Sequence, residues 1–277
     1  MSADATTLVV EIEPATGLRP LNVRELAAYR ELLYFLVWRD IKVRYKQTVL
    51  GAAWAILQPV MTMVVFSVFL GGLARVPSDG IPYPLFSFVA LVPWTYFATA
   101  VSGASASVVA SQQLVSKVYF PRLLIPLAAV LTPLVDFGFA LLTLVALLWW
   151  YRVVPGAAIV WLPVLIAFAV VSAFAVSLVL ATLTVRYRDV RYIVPFAMQF
   201  WMFATPVAYP ASLVPAKWRV LYGLNPMTGV IEGFRWALVG GRVPGPIILA
   251  SALVILVLLV AGVLYFRAAE GTFADTI

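Results

Sequence analysis

Polar and apolar positions along this chain sort into two periods. On the longer scale, apolar runs at 49–73, 85–110, 127–150, 158–185, 192–209 and 246–266 are separated by short polar or Pro/Gly-rich connectors. Runs of about 20 apolar residues are what a bilayer crossing requires. On the shorter scale, Leu26, Tyr29, Leu33, Leu36, Val37 and Ile41 recur near a 3.6-residue period, while Arg24, Glu31, Lys42 and Lys46 fall off it. That spacing predicts an amphipathic helix over 24–48. Tyr34, Trp38 and Tyr45 suit a headgroup layer, and a span begins directly afterwards, so the helix is expected to lie on the membrane surface and not in the cytosol. The predicted class is an all-α polytopic membrane protein.

Several runs carry features that lipid alone would not tolerate. Gln58-Pro59 predicts a kink in the first span, and a kinked helix needs protein or water beside it to satisfy the freed carbonyl. The second half of the next run, SGASASVVAS, is mostly small and predicts close helix packing. The fifth run mixes Pro195, Gln199, Thr205 and Pro206 with Phe196, Phe200, Trp201 and Phe203, as a helix lining a cavity would. Two apolar pieces, 211–222 and 226–239, are too short to cross and flank a break at 223–226, which predicts re-entrant half-helices before the last span. Glu232 and Arg235 stand at i,i+3 and are expected to pair. Asp136 is the one carboxylate inside a span; with no ionisable partner in the spans, it reads as a hydrogen-bonding group more than a proton carrier.

Composition agrees: of 277 residues, 64% are hydrophobic and 11% charged, with a mean hydropathy of +1.01. The net charge of +7 invites a nucleic-acid reading. The cations lie between apolar runs, however, where retention of Lys and Arg on the cytoplasmic side explains them better. Six spans place Arg39, Lys42, Arg44, Lys46, Lys117, Arg122, Arg186, Arg188, Arg191 and Arg267 inside, with both termini. Arg75 and Arg152 fall in short outer loops, and Lys217, Arg219, Arg235 and Arg242 in the longer outer segment. Residues 1–23 lack the apolar core of a secretory signal and are expected to be a cytoplasmic tail, as are 268–277. The chain has no Cys and no His, which removes disulfides, thiolate nucleophiles, imidazole bases and the usual zinc sites. No lysine follows a glycine, so there is no Walker A loop, and any ATP-driven work requires a separate subunit.

The strings RDIKVRYKQTVLGAAWAILQP, LVSKVYFPRLLIP, RYRDVRYIVPF and TPVAYP, followed by LNPMTGVIEGFRWALVG, closely resemble the membrane subunits of type-2 ABC transporters that export lipid-linked polysaccharides. The resemblance runs from about residue 24 to 266 and implies a homodimer joined to two ATP-binding cassette subunits, which would hold the ATP and magnesium. It makes 24–48 an interface helix, with Trp38, Arg39, Lys42, Arg44 and Tyr45 at that interface. It makes 112–121 a coupling helix entering the ATPase through Gln113, Leu114, Ser116, Lys117, Val118, Tyr119 and Phe120. A channel between protomers would be lined by Trp54, Gln58, Phe66, Phe69, Phe196, Gln199, Phe200 and Phe203. The half-helices would form an outer gate containing Trp218, Tyr222, Asn225, Pro226, Glu232 and Arg235. Aromatic faces suit the C–H surfaces of sugar rings. The implied substrate is an undecaprenyl-linked glycan, O-antigen first, with capsule or teichoic acid as alternatives, and the implied location is the bacterial cytoplasmic membrane. A drug exporter of the same class and a membrane enzyme of glycan assembly using Asp136 and Glu232 remain the other readings.

Overall fold

The computed structural model describes residues 27–46, 51, 53–240 and 243–273. The expected tail at 1–23, the ends of the interface helix at 24–26 and 47–48, the first residues of span one and the last four of the chain lie outside the described residues. The regular elements among the described residues are all helical. They are α1 (Arg30–Tyr45), α2 (Ala53–Phe66), α3 (Tyr83–Ala110), α4 (Gln112–Lys117), α5 (Leu124–Leu131), α6 (Leu134–Trp150), α7 (Leu162–Arg186), α8 (Val190–Phe203), α9 (Ala216–Tyr222), α10 (Pro226–Val239) and α11 (Gly245–Glu270). A π-helical stretch, Ser67–Leu73, prolongs α2, and a 3₁₀ stretch, Ala157–Trp161, leads into α7.

Among the described residues, five helical units are long and apolar enough to cross a membrane: Ala53–Leu73, Tyr83–Ala110, Leu124–Trp150, Ala157–Arg186 and Gly245–Glu270. Three of the differences from expectation have a local cause. Span two starts two residues early because Pro82 is extended and Pro84 sits in the first turn, where a missing N–H costs nothing. Span three is two helices, since Pro133 lacks the amide that would continue the ladder and Thr132–Pro133 forms a turn between α5 and α6. The fifth apolar run is helical only over Val190–Phe203, after which 204–209 turns back on itself. At about 1.5 Å per residue α8 reaches roughly 21 Å.

The hub is α3, expected from its small residues to pack closely. Leu85, Phe88, Val89, Ala90, Phe97, Ala100, Val101, Ala104 and Val108 are all 0% exposed. It contacts α2, α5, α6, α7, α8 and α10. By contrast α11, predicted to be peripheral, packs along α7, α9 and α10 and exposes Leu249, Leu253, Leu256 and Val257. Close approach there depends on glycine: a Cβ on Gly262 would stand 2.9 Å from the Ala175 carbonyl oxygen.

At its far end α3 meets the smaller pieces. The Tyr83 hydroxyl donates to the Ala208 carbonyl at 2.6 Å, fixing the turn after α8 to the start of α3. About 42 Å away along the helix axis, α3 ends beside α4. The two predicted functional regions, half-helices and coupling segment, thus occupy opposite ends of the hub.

Candidate functional site

At the α4 end, α1 lies across the bundle. Leu36 is 5% exposed, and Tyr29, Leu32, Leu33 and Val37 pack with it against Val115, Phe120, Leu124 and Phe266. These include four of the six residues of the predicted stripe. The other side of α1 is also apolar, with Tyr34, Phe35, Trp38 and Val43 exposed and Tyr34 stacked on Trp38 at 6.4 Å. A helix with apolar groups on both sides gives a weak amphipathic signal, because its polar residues are crowded into the remaining arc. Lys42 lies 5.2 Å over the Trp38 ring, and Arg39 pairs with Asp40 at 2.9 Å.

Arg44 and Tyr45 turn inward to Asp136 in the first turn of α6. The Arg44 guanidinium reaches Oδ2 at 2.6 Å and the Tyr45 hydroxyl donates to Oδ1. The absence of ionisable partners in the spans had left Asp136 without a counter-charge; the counter-charge comes from outside them, on α1. Burial, then the hydrogen bond to Asp136, push the Tyr45 phenol above its ordinary 10.0, so it stays a neutral donor. Asp136 is therefore a latch between α1 and span three.

The predicted coupling segment folds as α4 followed by extended backbone at Val118. Val115 and Phe120 are its anchors, each 5% exposed. Leu114 is half-buried, while Gln113, Ser116, Lys117, Val118 and Tyr119 are exposed. The Ser116 hydroxyl is occupied locally, donating to the Gln112 carbonyl at 3.0 Å. Arg122 donates to the Glu270 carbonyl, tying the segment to the end of α11. The outcome is an outward tip, Lys117–Val118–Tyr119, on a rigid base. A groove of about 720 Å³ separates this tip from α1, lined by Arg39, Asp40, Arg44, Ser107, Gln113 and Lys117.

Most of the expected channel residues are on the surface: Trp54 (54%), Phe69 (57%), Phe196 (62%), Phe200 (63%) and Phe203 (56%), with Gln58 and Gln199 also exposed. Phe66 is the exception, 8% exposed and packed in the core. Trp54 and Gln58 line a cavity of about 260 Å³ that also receives Arg44, Tyr45 and Asp136, so the latch sits at the foot of span one. Phe196 and Phe200 pack one turn apart, their rings tilted by 58° with centroids 4.6 Å from each other.

At the opposite end, Asn225 organises the half-helices. As the cap of α10 its Oδ1 accepts from the Met227 amide at 3.1 Å and from the Trp201 indole at 3.0 Å. Its Nδ2 donates to the Thr205 hydroxyl at 2.8 Å. One side chain thus joins the end of α8 to the break between α9 and α10. The Tyr209 and Tyr222 hydroxyls meet at 2.8 Å, Trp218 is exposed and Pro226 buried. The expected Glu232–Arg235 pair forms at 2.8 Å. Arg235 is 4% exposed, also donates to the Val207 carbonyl at 3.0 Å, and lies 3.8 Å over the Phe86 ring.

Sequence reasoning overlooked two features here. Gly229 and Gly233 form a GxxxG stripe in α10, a legible signal for close helix approach; a Cβ on Gly229 would meet the Ser251 side chain at 2.7 Å, and one on Gly233 would meet Leu165 at 2.5 Å. Ser251 accepts from the Gly229 amide and donates to the Gly223 carbonyl, which no local pattern announces. Among the described residues no three acidic side chains gather as metal ligands.

The profile of a family described as ABC-2 type transporter matches residues 31–239. A protein of Myxococcus xanthus named O-antigen export system permease protein RfbA is 33% identical over 92% of this chain and 98% of its own length. A Klebsiella pneumoniae protein of the same name is 27% identical over 88% of this chain and 94% of its own.

Proposed function

This chain belongs to the ABC-2 type transporter family, and we propose that it is the transmembrane subunit of an ATP-driven exporter moving undecaprenyl-linked polysaccharide, O-antigen foremost, across the bacterial cytoplasmic membrane. It is a multi-pass membrane protein and a transport permease. The observation that carries the finer reading is the exposed Lys117–Val118–Tyr119 tip held by buried Val115 and Phe120 at the end of the hub helix. A docking tip on a rigid base is what a separate motor subunit needs in order to push, and the similarity to relatives named for O-antigen export supplies the cargo class.

In this reading two copies of the chain associate and two ATP-binding cassette subunits carry the nucleotide and its magnesium. Both termini are cytoplasmic, α8 serves as a short sixth crossing, and α9 and α10, at 7 and 14 residues, are re-entrant. The aromatics exposed on α1 sit in the headgroup layer. Closure of the cassettes moves the tip, α1 transmits the movement through Arg44 to Asp136, and the exposed aromatic faces of α2 and α8 border the lumen. Exposed aromatic faces without trapped charges let a sugar chain slide.

Deletion of the gene should leave the cell without its surface polysaccharide and with lipid-linked chains accumulating inside. Intact surface glycans would point to a drug exporter, and ATPase activity in the purified chain alone would overturn the division of labour. The membrane-enzyme reading is disfavoured because Asp136 and Glu232 each have their own arginine, and their neighbours Thr99 and Phe86 lie roughly 20 Å apart along α3.

A further inference from the structure

The half-helix end contains a cavity of about 1030 Å³ that neither the ATPase tip nor the aromatic faces of α2 and α8 account for. Its polar wall is Asp79, Ser212, Arg219, Glu232, Arg235 and Trp236, contributed by the loop after span one, the turn before α9, α9 itself and α10. Its rim is open, with Val243 70% exposed and Ser212 and Gly240 also exposed.

This wall is built. The Ser212 hydroxyl donates to Asp79 Oδ1 at 2.9 Å, joining two segments 133 positions apart. Asp79 itself holds a left-handed backbone with φ of 51°, which a non-glycine residue adopts at a cost. Arg219 is clamped by the Val214 and Ser212 carbonyls at 2.9 and 3.1 Å. Arg235, 4% exposed, is held by the Glu232 carboxylate at 2.8 Å and the Val207 carbonyl at 3.0 Å.

The charges decide the class of ligand. Two carboxylates face two guanidiniums, so the wall has no net charge with which to hold a phosphate or another anion. A pure acyl chain would cover these charged and polar groups without forming any hydrogen bond to them. Sugar hydroxyls both donate and accept, and so satisfy carboxylates and guanidiniums together, while an indole such as Trp236 offers a face to ring C–H groups. The volume stands at the upper end of small-molecule sites, enough for more than one ring.

We propose that this cavity is a saccharide-binding subsite of each protomer, placed on the side opposite the coupling segment, where it holds sugar rings of the polysaccharide after they leave the lumen. The proposal rests on the export reading.

The chain lacks cysteine, so Val243→Cys introduces a unique thiol on the rim. With the permease purified together with its ATPase partner, the maleimide reaction of that thiol is followed while oligosaccharide released by mild acid from the source cell's own surface polysaccharide is titrated. Saturable protection is expected, about tenfold weaker in Trp236→Ala and in Asp79→Asn, the scale of losing one binding anchor. Protection by glycerol 3-phosphate and not by saccharide would overturn the proposal in favour of a lipid headgroup. Saccharide protection that neither variant alters, or no protection in a complex whose gene restores surface polysaccharide to deleted cells, would also overturn it. Failure of that restoration would strike the export reading instead. Thermal unfolding of each variant separates lost binding from lost fold.

Discussion

The Asp136 carboxylate and the Arg44 guanidinium meet at 2.6 Å although 92 positions of chain lie between them. Arg44→Gln and Asp136→Asn should each lower ATP-driven export without abolishing membrane insertion. The side chains remain 35% and 26% exposed, so a double-mutant cycle on unfolding should give a coupling on the order of 1 kcal/mol, far below a fully buried pair. Additive single effects would remove the latch.

Arg235 is a different case, because it is buried. Arg235→Ala strips the Glu232 carboxylate of its partner and should cost about 3–5 kcal/mol. Arg235→Lys should recover only part, since an ammonium cannot reach Glu232, the Val207 carbonyl and the Phe86 face at once. Denaturant unfolding of the purified protein measures both.

The GxxxG stripe gives a graded test. Gly229→Ala places a methyl 2.7 Å from the Ser251 side chain and 3.2 Å from the Ile248 backbone, and should destabilise by about 1–3 kcal/mol. Gly138→Ala, in α6 with nothing within 4 Å, should be neutral or stabilising by up to about 1 kcal/mol. Equal effects at the two sites would contradict the close α10–α11 contact.

Substitution at the tip should separate coupling to the ATPase from folding. Lys117→Glu and Tyr119→Ala change exposed side chains, so stability should shift by less than about 0.5 kcal/mol. Stimulation of the partner ATPase and polysaccharide export should both fall severalfold. Phe120→Ala should instead act through folding, costing about 3–5 kcal/mol, because it empties a 5% exposed anchor.

Phe196→Ala and Phe200→Ala remove one member each of an exposed, tilted aromatic pair, which should alter stability by about 1 kcal/mol or less. Export in cells should drop more than in Val164→Ala, an equally open position at 56% exposure on α7. Comparable export in all three would argue against a lumen along α8.

Hydropathy alone placed the ends of spans two, four and six within four residues of Tyr83–Ala110, Ala157–Arg186 and Gly245–Glu270, because a bilayer acts on composition and length before any contact forms. The short pieces within 211–239 were legible from their length, the Glu232–Arg235 pair from its local spacing, and the helix at 112–121 from the family resemblance. The side on which each residue lies was not legible. Phe66 and Phe69 are three positions apart in one apolar run, yet one is 8% and the other 57% exposed, and only the neighbouring helix decides which is which. The break at Pro133, the early end of α8 and the counter-charge of Asp136 belong to the same group. A membrane sequence determines which segments leave water; the latch, the hub and the sugar-sized cavity exist because packing brings together faces whose contacts no periodicity records.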